Sequence, residues 1–333
     1  MLPIKNRLYL FIIYLILFAF AIYSVLPFLW TALQSIKTVL QAESLTPLFI
    51  FKPTFQNYID LWLKSVPKNP LQFSLVFLGT ILGLILLVIL LQRLPISRAV
   101  SWFVLLGGII LILYAIPRVL DTAQFYEYFL NTVIVATGTV IVSIGIGCLS
   151  GYALARFKGI DGLVLLIAAL SFYSLPSLAY ALPYFTLGQI TGLHDTYFLL
   201  IVVMVALDQP FTIWMLRSFF ADIPIEIEEA ALVDGANRLT AFWKVVIPIM
   251  WPGIISTALF TVIGVYHSFL IVLVLAQLNW TMSVAVSQYA GSEYTRFSTM
   301  PFAASISASL LIMVVVIFFQ KQLVKGLTAG AIK

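Results

Sequence analysis

The chain has 333 residues, of which 62% are hydrophobic and only 9% charged, with a formal net charge of +5 and a mean hydropathy of +1.09. Soluble domains carry roughly 25% charged residues, so a soluble enzyme or binding module is excluded. The chain reads instead as an all-α polytopic membrane protein, because its apolar runs reach the ~20 residues that cross a bilayer as helix. The ~10-residue alternating segments of a membrane β-barrel are missing.

About eight spans are expected: Leu8–Trp30, Phe73–Leu91, Val100–Ile116, Phe129–Cys148, Leu163–Leu187, Tyr197–Met215, Pro252–Gln277 and Pro301–Phe319. The first has an apolar core longer than the ~7–15 residues of a secretory signal, with no small-x-small cleavage site after it, so it is expected to stay as an anchor. Basic residues collect on the side that is not translocated. With both termini inside, twelve Lys and Arg lie inside, Arg156, Arg217, Arg238 and Lys244 among them, against six outside, including Lys37, Arg118 and Arg296. Both termini are therefore expected in the cytoplasm. The positive charge follows topology and calls for no nucleic acid. Cys148 is the one cysteine and lies in a predicted span. No disulfide, metal site or cofactor bound by this chain is expected.

Between the sixth and seventh spans lies a polar segment, 219–250, with the chemistry of a docking surface. Asp222 is placed to cap a helix with Pro224 in its first turn, and Glu226, Glu228 and Glu229 complement the positive end of the helix dipole. Ala230 and Ala231 are small enough to let another protein approach the helix backbone. Gly235 ends that helix after Asp234, and Asn237 caps a second one running through Leu239, Phe242 and Val245 to Pro248. An amphipathic helix pair lying on the bilayer is the alternative, but an anionic membrane surface would favour Lys and Arg over this run of carboxylates.

The spacing Glu229-Ala230-Ala231, three residues, Gly235, nine residues, Val245-Val246-Ile247-Pro248 resembles the cytoplasmic EAA loop of permease subunits in binding-protein-dependent ABC importers. Further landmarks resemble the maltose-type sugar permeases. They are Phe129-Leu130-Asn131-Thr132, Gly151-Tyr152-Ala153-Leu154-Ala155-Arg156-Phe157, Gly192-Leu193-His194-Asp195-Thr196-Tyr197, Pro210-Phe211 with Trp214 and Arg217, and the tail from Lys325 to Lys333. The resemblance covers roughly 1–62 and 125–333. It departs from the family at Val265-Tyr266-His267-Ser268-Phe269-Leu270, where relatives commonly show a Trp-Asn-Glu-Phe-like run.

The resemblance implies a type I ABC importer transmembrane domain. It consists of an N-terminal span and outer loop (1–70), an inserted two-span hairpin (71–120) and a permease core (121–333) with a coupling loop (219–250) and a cytoplasmic tail (320–333). An inserted pair of spans, unlike a single one, keeps the coupling loop inside. Glu228, Glu229, Ala230, Ala231, Asp234, Gly235 and Pro248 would then couple the chain to a separate ATPase. The implied partners are two ATP-binding subunits carrying ATP and Mg, a second permease subunit in a heterodimer, and an extracytoplasmic solute-binding protein. The location would be the cytoplasmic (inner) membrane of a bacterium or archaeon. The tail would reach the ATPases or simply fray as a basic end.

Polar side chains inside a span are costly and face protein or a watery cavity. Asp208 and Gln209 beside Pro210 form either a hydrogen-bonding site for a polyhydroxylated solute or a tie to a neighbouring helix. Tyr173, Tyr180 and Tyr184 offer faces and hydroxyls suited to sugar rings, or serve as packing and interfacial anchors. His267 has the same two readings. No phosphate-binding G-x-x-x-x-G-K-[ST] loop is present, so the energy must come from another subunit. A membrane enzyme would need clustered acids or histidines, and Glu43, Asp60, Asp121, Glu127, Asp195 and Glu293 are scattered. A secondary transporter would need coupling carboxylates and an inverted repeat, and only Asp208 qualifies. The expected function is import of a neutral sugar by alternating access, with a solute such as glycerol phosphate as the other option.

Overall fold

The computed structural model describes residues 4–44, 46, 48–63, 78–79, 82–83, 86–87, 89–90, 98–118, 120–157, 159–291 and 299–329. The described residues are overwhelmingly helical. The principal elements are α1 (Ile4–Ser35), α2 (Arg98–Ala115), α3 (Gln124–Arg156), α4 (Ile160–Tyr173), α5 (Ser177–Thr191), α6 (Tyr197–Ala221) and α7 (Ile225–Val233). They continue with α8 (Arg238–His267), α9 (Phe269–Leu275), α10 (Met282–Gly291) and α11 (Met300–Ala329). Among the described residues, five helices are long and apolar enough to cross a membrane, or six if the bent pair α4–α5 is one span. The expected span Phe73–Leu91 and the link 92–97 lie largely outside the described residues, whereas Val100–Ile116 falls on α2.

Two expected spans are broken. Leu163–Leu187 bends by 91° between α4 and α5. Proline disfavours helical backbone in the residue before it, and Leu175-Pro176 sits at this corner, with Pro176 extended (ψ 135°) as the entry to α5. Pro252–Gln277 likewise stops at His267. Ser268 leaves helical backbone (ψ 56°), its hydroxyl donates to the Gly264 carbonyl at 2.8 Å, and a separate helix, α9, starts at Phe269.

The chain forms two compact units. The first comprises Met1–Ile81, Ile116–Phe125 and Val286–Leu310. Here Asn57 organises the turn after α1: its side-chain amide donates to the Ser35 and Lys37 carbonyls at 2.7 and 2.9 Å, and its carbonyl accepts from Thr299 at 2.7 Å. Lys37 is 1% exposed, with its ammonium over the Trp30 and Phe51 rings at 5.4 and 5.1 Å. Facing two π-systems offsets part of its lost hydration.

The second unit comprises Leu82–Ala115, Tyr126–Ala285 and Leu311–Lys333. One core gathers Val135, Leu199, Leu200, Val203, Ile271, Val272 and Leu275; another gathers Cys148, Leu216, Phe220, Ile223, Phe242, Val246 and Met250. α3 and α6 approach closely at Gly151, where a Cβ would lie 3.0 Å from the Arg217 backbone nitrogen. A side chain here would require the facing α6 backbone to give by a few tenths of an ångström. Small residues at such crossings let membrane helices pack backbone to backbone.

The turn into α6 is pinned by a carboxylate. Asp195, with φ of +58°, accepts from the backbone N–H groups of Gln277 (2.9 Å), Leu278 (3.1 Å) and Asn279 (3.1 Å). Burial raises its pKa, but these three donors and His194 outweigh burial, and the net result lies below the ordinary 3.8. A lowered folded-state pKa means stabilisation that is present above the unfolded value and lost as pH falls through the folded one. Asp195→Asn should therefore destabilise the protein modestly near neutrality, by about 1 kcal/mol or less, since solvent screens these contacts. The gap to wild type should close as pH drops below 3.8, measured by thermal unfolding in detergent across a pH series.

Candidate functional site: the α6–α8 loop and a membrane-level cavity

The polar loop folds as a short helix, a tight turn and a second helix. Asp222 does not cap α7, contrary to the expectation from sequence; it closes α6, and the cap position of α7 belongs to Pro224, with no side-chain cap bond. The preference for Asp at a helix start loses here to Pro, whose fixed φ makes the corner two residues later. Gly235 adopts φ of +87°, a left-handed backbone that L side chains reach at a cost of roughly 1–2 kcal/mol. Its N–H reaches the Leu232 carbonyl and that of Ala236 reaches Ala231, both at 3.0 Å, so the loose carbonyls of α7 are closed off. Asn237 caps α8 as the sequence suggests, accepting from Thr240 N at 2.7 Å. A π turn over Phe242–Val246 then leads into the apolar helix past Pro248.

α7 has two faces. Glu228 and Ala231 are buried, whereas Glu229, Ala230 and Leu232 to Gly235 are exposed, with Val233 87% exposed and Leu239 and Trp243 beyond the turn also open. The sequence treats the carboxylates as equivalent, and the structure separates them. Glu229 and Asp234 face out. Glu228 is turned into the protein, where its Oε1 accepts from Arg156 Nε at 2.8 Å and from Nη2, and its Oε2 accepts from the Tyr152 hydroxyl at 2.8 Å.

The Arg156 guanidinium also donates to the Phe220 and Ile223 carbonyls, each at 3.2 Å, and lies over the Tyr152 ring at 5.8 Å. Sequence inspection misses this role, since 72 residues separate the partners. The available signal is an arginine at the end of one span and a surplus carboxylate in the next polar loop but one. Beside the cluster an open cavity of about 450 Å³ is lined by Arg156, Phe157, Ile225, Glu228, Leu232 and Arg238.

A second cavity, about 240 Å³, lies among α4, α5, α6 and α8. Tyr173, Ser177, Tyr180, Asp208, Gly264 and Ser268 line it. Asp208 Oδ2 accepts from Thr212 at 3.0 Å on its own helix and from Thr261 at 2.7 Å on α8. Its other oxygen lies 3.5 Å from where a Cβ would stand on Gly264, so the glycine leaves room beside it. Asp208 thus ties α6 to α8, as one of the two sequence readings has it, and it also lines a cavity. The Tyr180 hydroxyl is buried with no hydrogen-bond partner among the described residues.

Of the other candidates, Gln209 turns toward α3, donating to the Ser143 carbonyl at 3.3 Å. Tyr184 packs against the core of Val135, Leu199 and Ile271. His267 is exposed against Tyr266, and neither it, Tyr184 nor Gln209 lines the cavity.

No family model matches the chain. Among characterised proteins it is 32% identical over 212 residues to the trehalose transport system permease SugB of Mycobacterium tuberculosis, covering 63% of this chain and 77% of that one. It is 30% identical over 216 residues to the trehalose/maltose transport permease MalG of Thermococcus litoralis, covering 64% and 77%. It is 27% identical over 218 residues to the maltodextrin permease MdxG of Bacillus subtilis, covering 65% and 78%. In architecture it matches a chain from the crystal structure of a bacterial ABC transporter that imports the acidic polysaccharide alginate. The TM-score is 0.67 at 17% identity, over 96% of this chain and 98% of that one.

Proposed function

Because this chain belongs to the family of sugar ABC-importer permease subunits, a multi-pass membrane family that leaves ATP hydrolysis to partner proteins, we propose that its α7 is the element through which an ATPase drives import. The observation that carries this is the division of α7 into an anchored face, Glu228 and Ala231, and a presented face, Glu229, Ala230 and Val233. A helix fixed from behind and bare in front suits force transfer, and its small Ala230 allows close approach. The loop lies on the cytoplasmic side, both termini with it, as the balance of basic residues indicates.

The membrane core is completed by a second, different permease subunit, with two ATP-binding subunits below and a solute-binding protein delivering sugar from outside. Alternating access then moves sugar across. The 240 Å³ cavity, with the Asp208 carboxylate and the Tyr173 and Tyr180 rings, is this subunit's contribution to the path. Its acceptor and hydroxyl lining suits a neutral polyhydroxylated solute, and a carboxylate there disfavours a phosphate or uronate.

The test is binding-protein-dependent uptake of labelled trehalose, maltose and maltodextrin in proteoliposomes holding the complex purified from native membranes. Wild type is expected to import one of these sugars only with ATP inside. Gly235→Asp and Ala230→Glu are expected to lower uptake at least about 10-fold, the first by straining the turn and the second by blocking approach. Uptake without ATP, or unchanged uptake in both variants, would overturn the reading.

A further inference from the structure

One polar cluster holds α7 in place. The Arg156 guanidinium binds three separate pieces of chain at once: the Glu228 carboxylate on α7, the Phe220 carbonyl in the last turn of α6, and the Ile223 carbonyl in the link between them. The side chains of Arg156 and Glu228 are 18% and 9% exposed, so the pair is largely withdrawn from water. Tyr152, one turn before Arg156, closes the other carboxylate oxygen, and its ring packs against Phe220 and Phe242 at 5.6 and 4.8 Å. Arg217 of α6 adds a further tie to α3, donating to the Leu154 carbonyl at 3.4 Å.

The chemistry of this cluster is that of a joint. Nε and Nη2 of the guanidinium both donate to one carboxylate oxygen and the Tyr152 hydroxyl holds the other, so the carboxylate is fixed in orientation as well as distance, which a single ammonium contact does not achieve. The carbonyls of Phe220 and Ile223 lie at the negative end of the α6 dipole, where a cation belongs. The cluster therefore holds α7 to the ends of two long apolar helices, α3 and α6, at one point. Movement imposed on α7 must reach both. Apolar packing alone would let the short α7 slide or tilt, since a nine-residue helix with two buried positions has little surface to resist it.

We propose that Arg156, Glu228 and Tyr152 form a transmission joint that converts displacement of α7 into movement of α3 and α6, and that they act as positioning residues for transport rather than as contacts to the ATPase. This rests on the reading of α7 as the coupling helix. It differs from that reading in assigning Glu228 an internal role and reserving the outward Glu229 for the partner.

The experiment compares wild type, Glu228→Gln and the apolar pair Arg156→Met with Glu228→Leu, each in the full complex purified from native membranes and reconstituted with binding protein. Three quantities are read: ATPase subunits retained per permease, ATP hydrolysed, and sugar imported per ATP. The apolar pair is expected to keep the ATPase and to hydrolyse ATP, because burying two apolar side chains restores stability. Sugar imported per ATP is expected to fall about 10-fold or more. Glu228→Gln, which preserves size and part of the hydrogen bonding, is expected to fall less, about 3-fold.

A purely structural pair would show import per ATP returning to the wild-type ratio in the apolar variant, and that result overturns the proposal. Loss of the ATPase from a folded Glu228→Gln complex also overturns it, because Glu228 would then serve docking. Failure of the wild-type complex to hold any ATPase or to import sugar would instead sink the coupling-helix reading, independently of these variants.

Discussion

Arg156→Met is expected to lower the unfolding midpoint by roughly 5–15 °C, the largest loss of stability for any single change in the α6–α8 loop or its support. The substitution leaves Glu228 without either guanidinium donor in a position where its side chain is 9% exposed, facing the Phe220 and Ile223 carbonyls that Arg156 had satisfied. An uncompensated buried charge of this kind costs about 3–5 kcal/mol. Adding Glu228→Leu removes that charge and should recover most of the loss, so the double variant is expected to be more stable than Arg156→Met alone. Thermal unfolding of wild type, the single variants Arg156→Met and Glu228→Leu, and the double variant in one detergent completes the cycle. Additive losses would mean that the two side chains do not act as a pair in solution.

Asp208→Ala is expected to reduce sugar uptake roughly 10- to 100-fold while leaving the ATPase bound. Losing a hydrogen bond to a charged group costs about 1.5–3 kcal/mol, which converts to that range of rates. Two contributions combine. The variant removes the acceptor shared by Thr212 and Thr261, loosening the tie between α6 and α8, and it removes the carboxylate that lines the cavity with Tyr173 and Tyr180. Asp208→Asn separates them, since it keeps an acceptor for the threonines but loses the charge. If the cavity binds solute, Asp208→Asn should alter the concentration dependence of uptake with little loss of stability. Unchanged uptake in both variants would remove Asp208 from the path.

Local signals made the α6–α8 loop legible from the chain. Gly235 and Asn237 act within four residues of themselves, through a left-handed backbone and a side-chain cap, and both occur where the sequence places them. Asp222 misled because a nearby Pro224 competes for the same corner. The breaks at Leu175-Pro176 and at Ser268 were harder to read, because apolar composition continues unbroken through both and hydropathy is blind to direction.

Those breaks explain the candidate residues of the path. Tyr173 and Tyr180 lie on opposite sides of the first break, and the bend brings both to the cavity with Asp208. Tyr184, one turn beyond Tyr180, enters the core, and His267 is left exposed where α8 ends. The Arg156–Glu228 joint depends on contact between segments far apart in sequence, which no window of residue types contains.

The central claim, that the outer face of α7 receives an ATPase, is most directly tested by placing a photo-reactive residue at Val233 in native membranes and identifying what it captures. Val233 is 87% exposed, and Ile50, 96% exposed in the first unit, serves as the control position. The account predicts capture of an ATP-binding subunit at Val233 and not at Ile50. Capture of lipid alone at Val233, in a protein that still imports sugar, would contradict it.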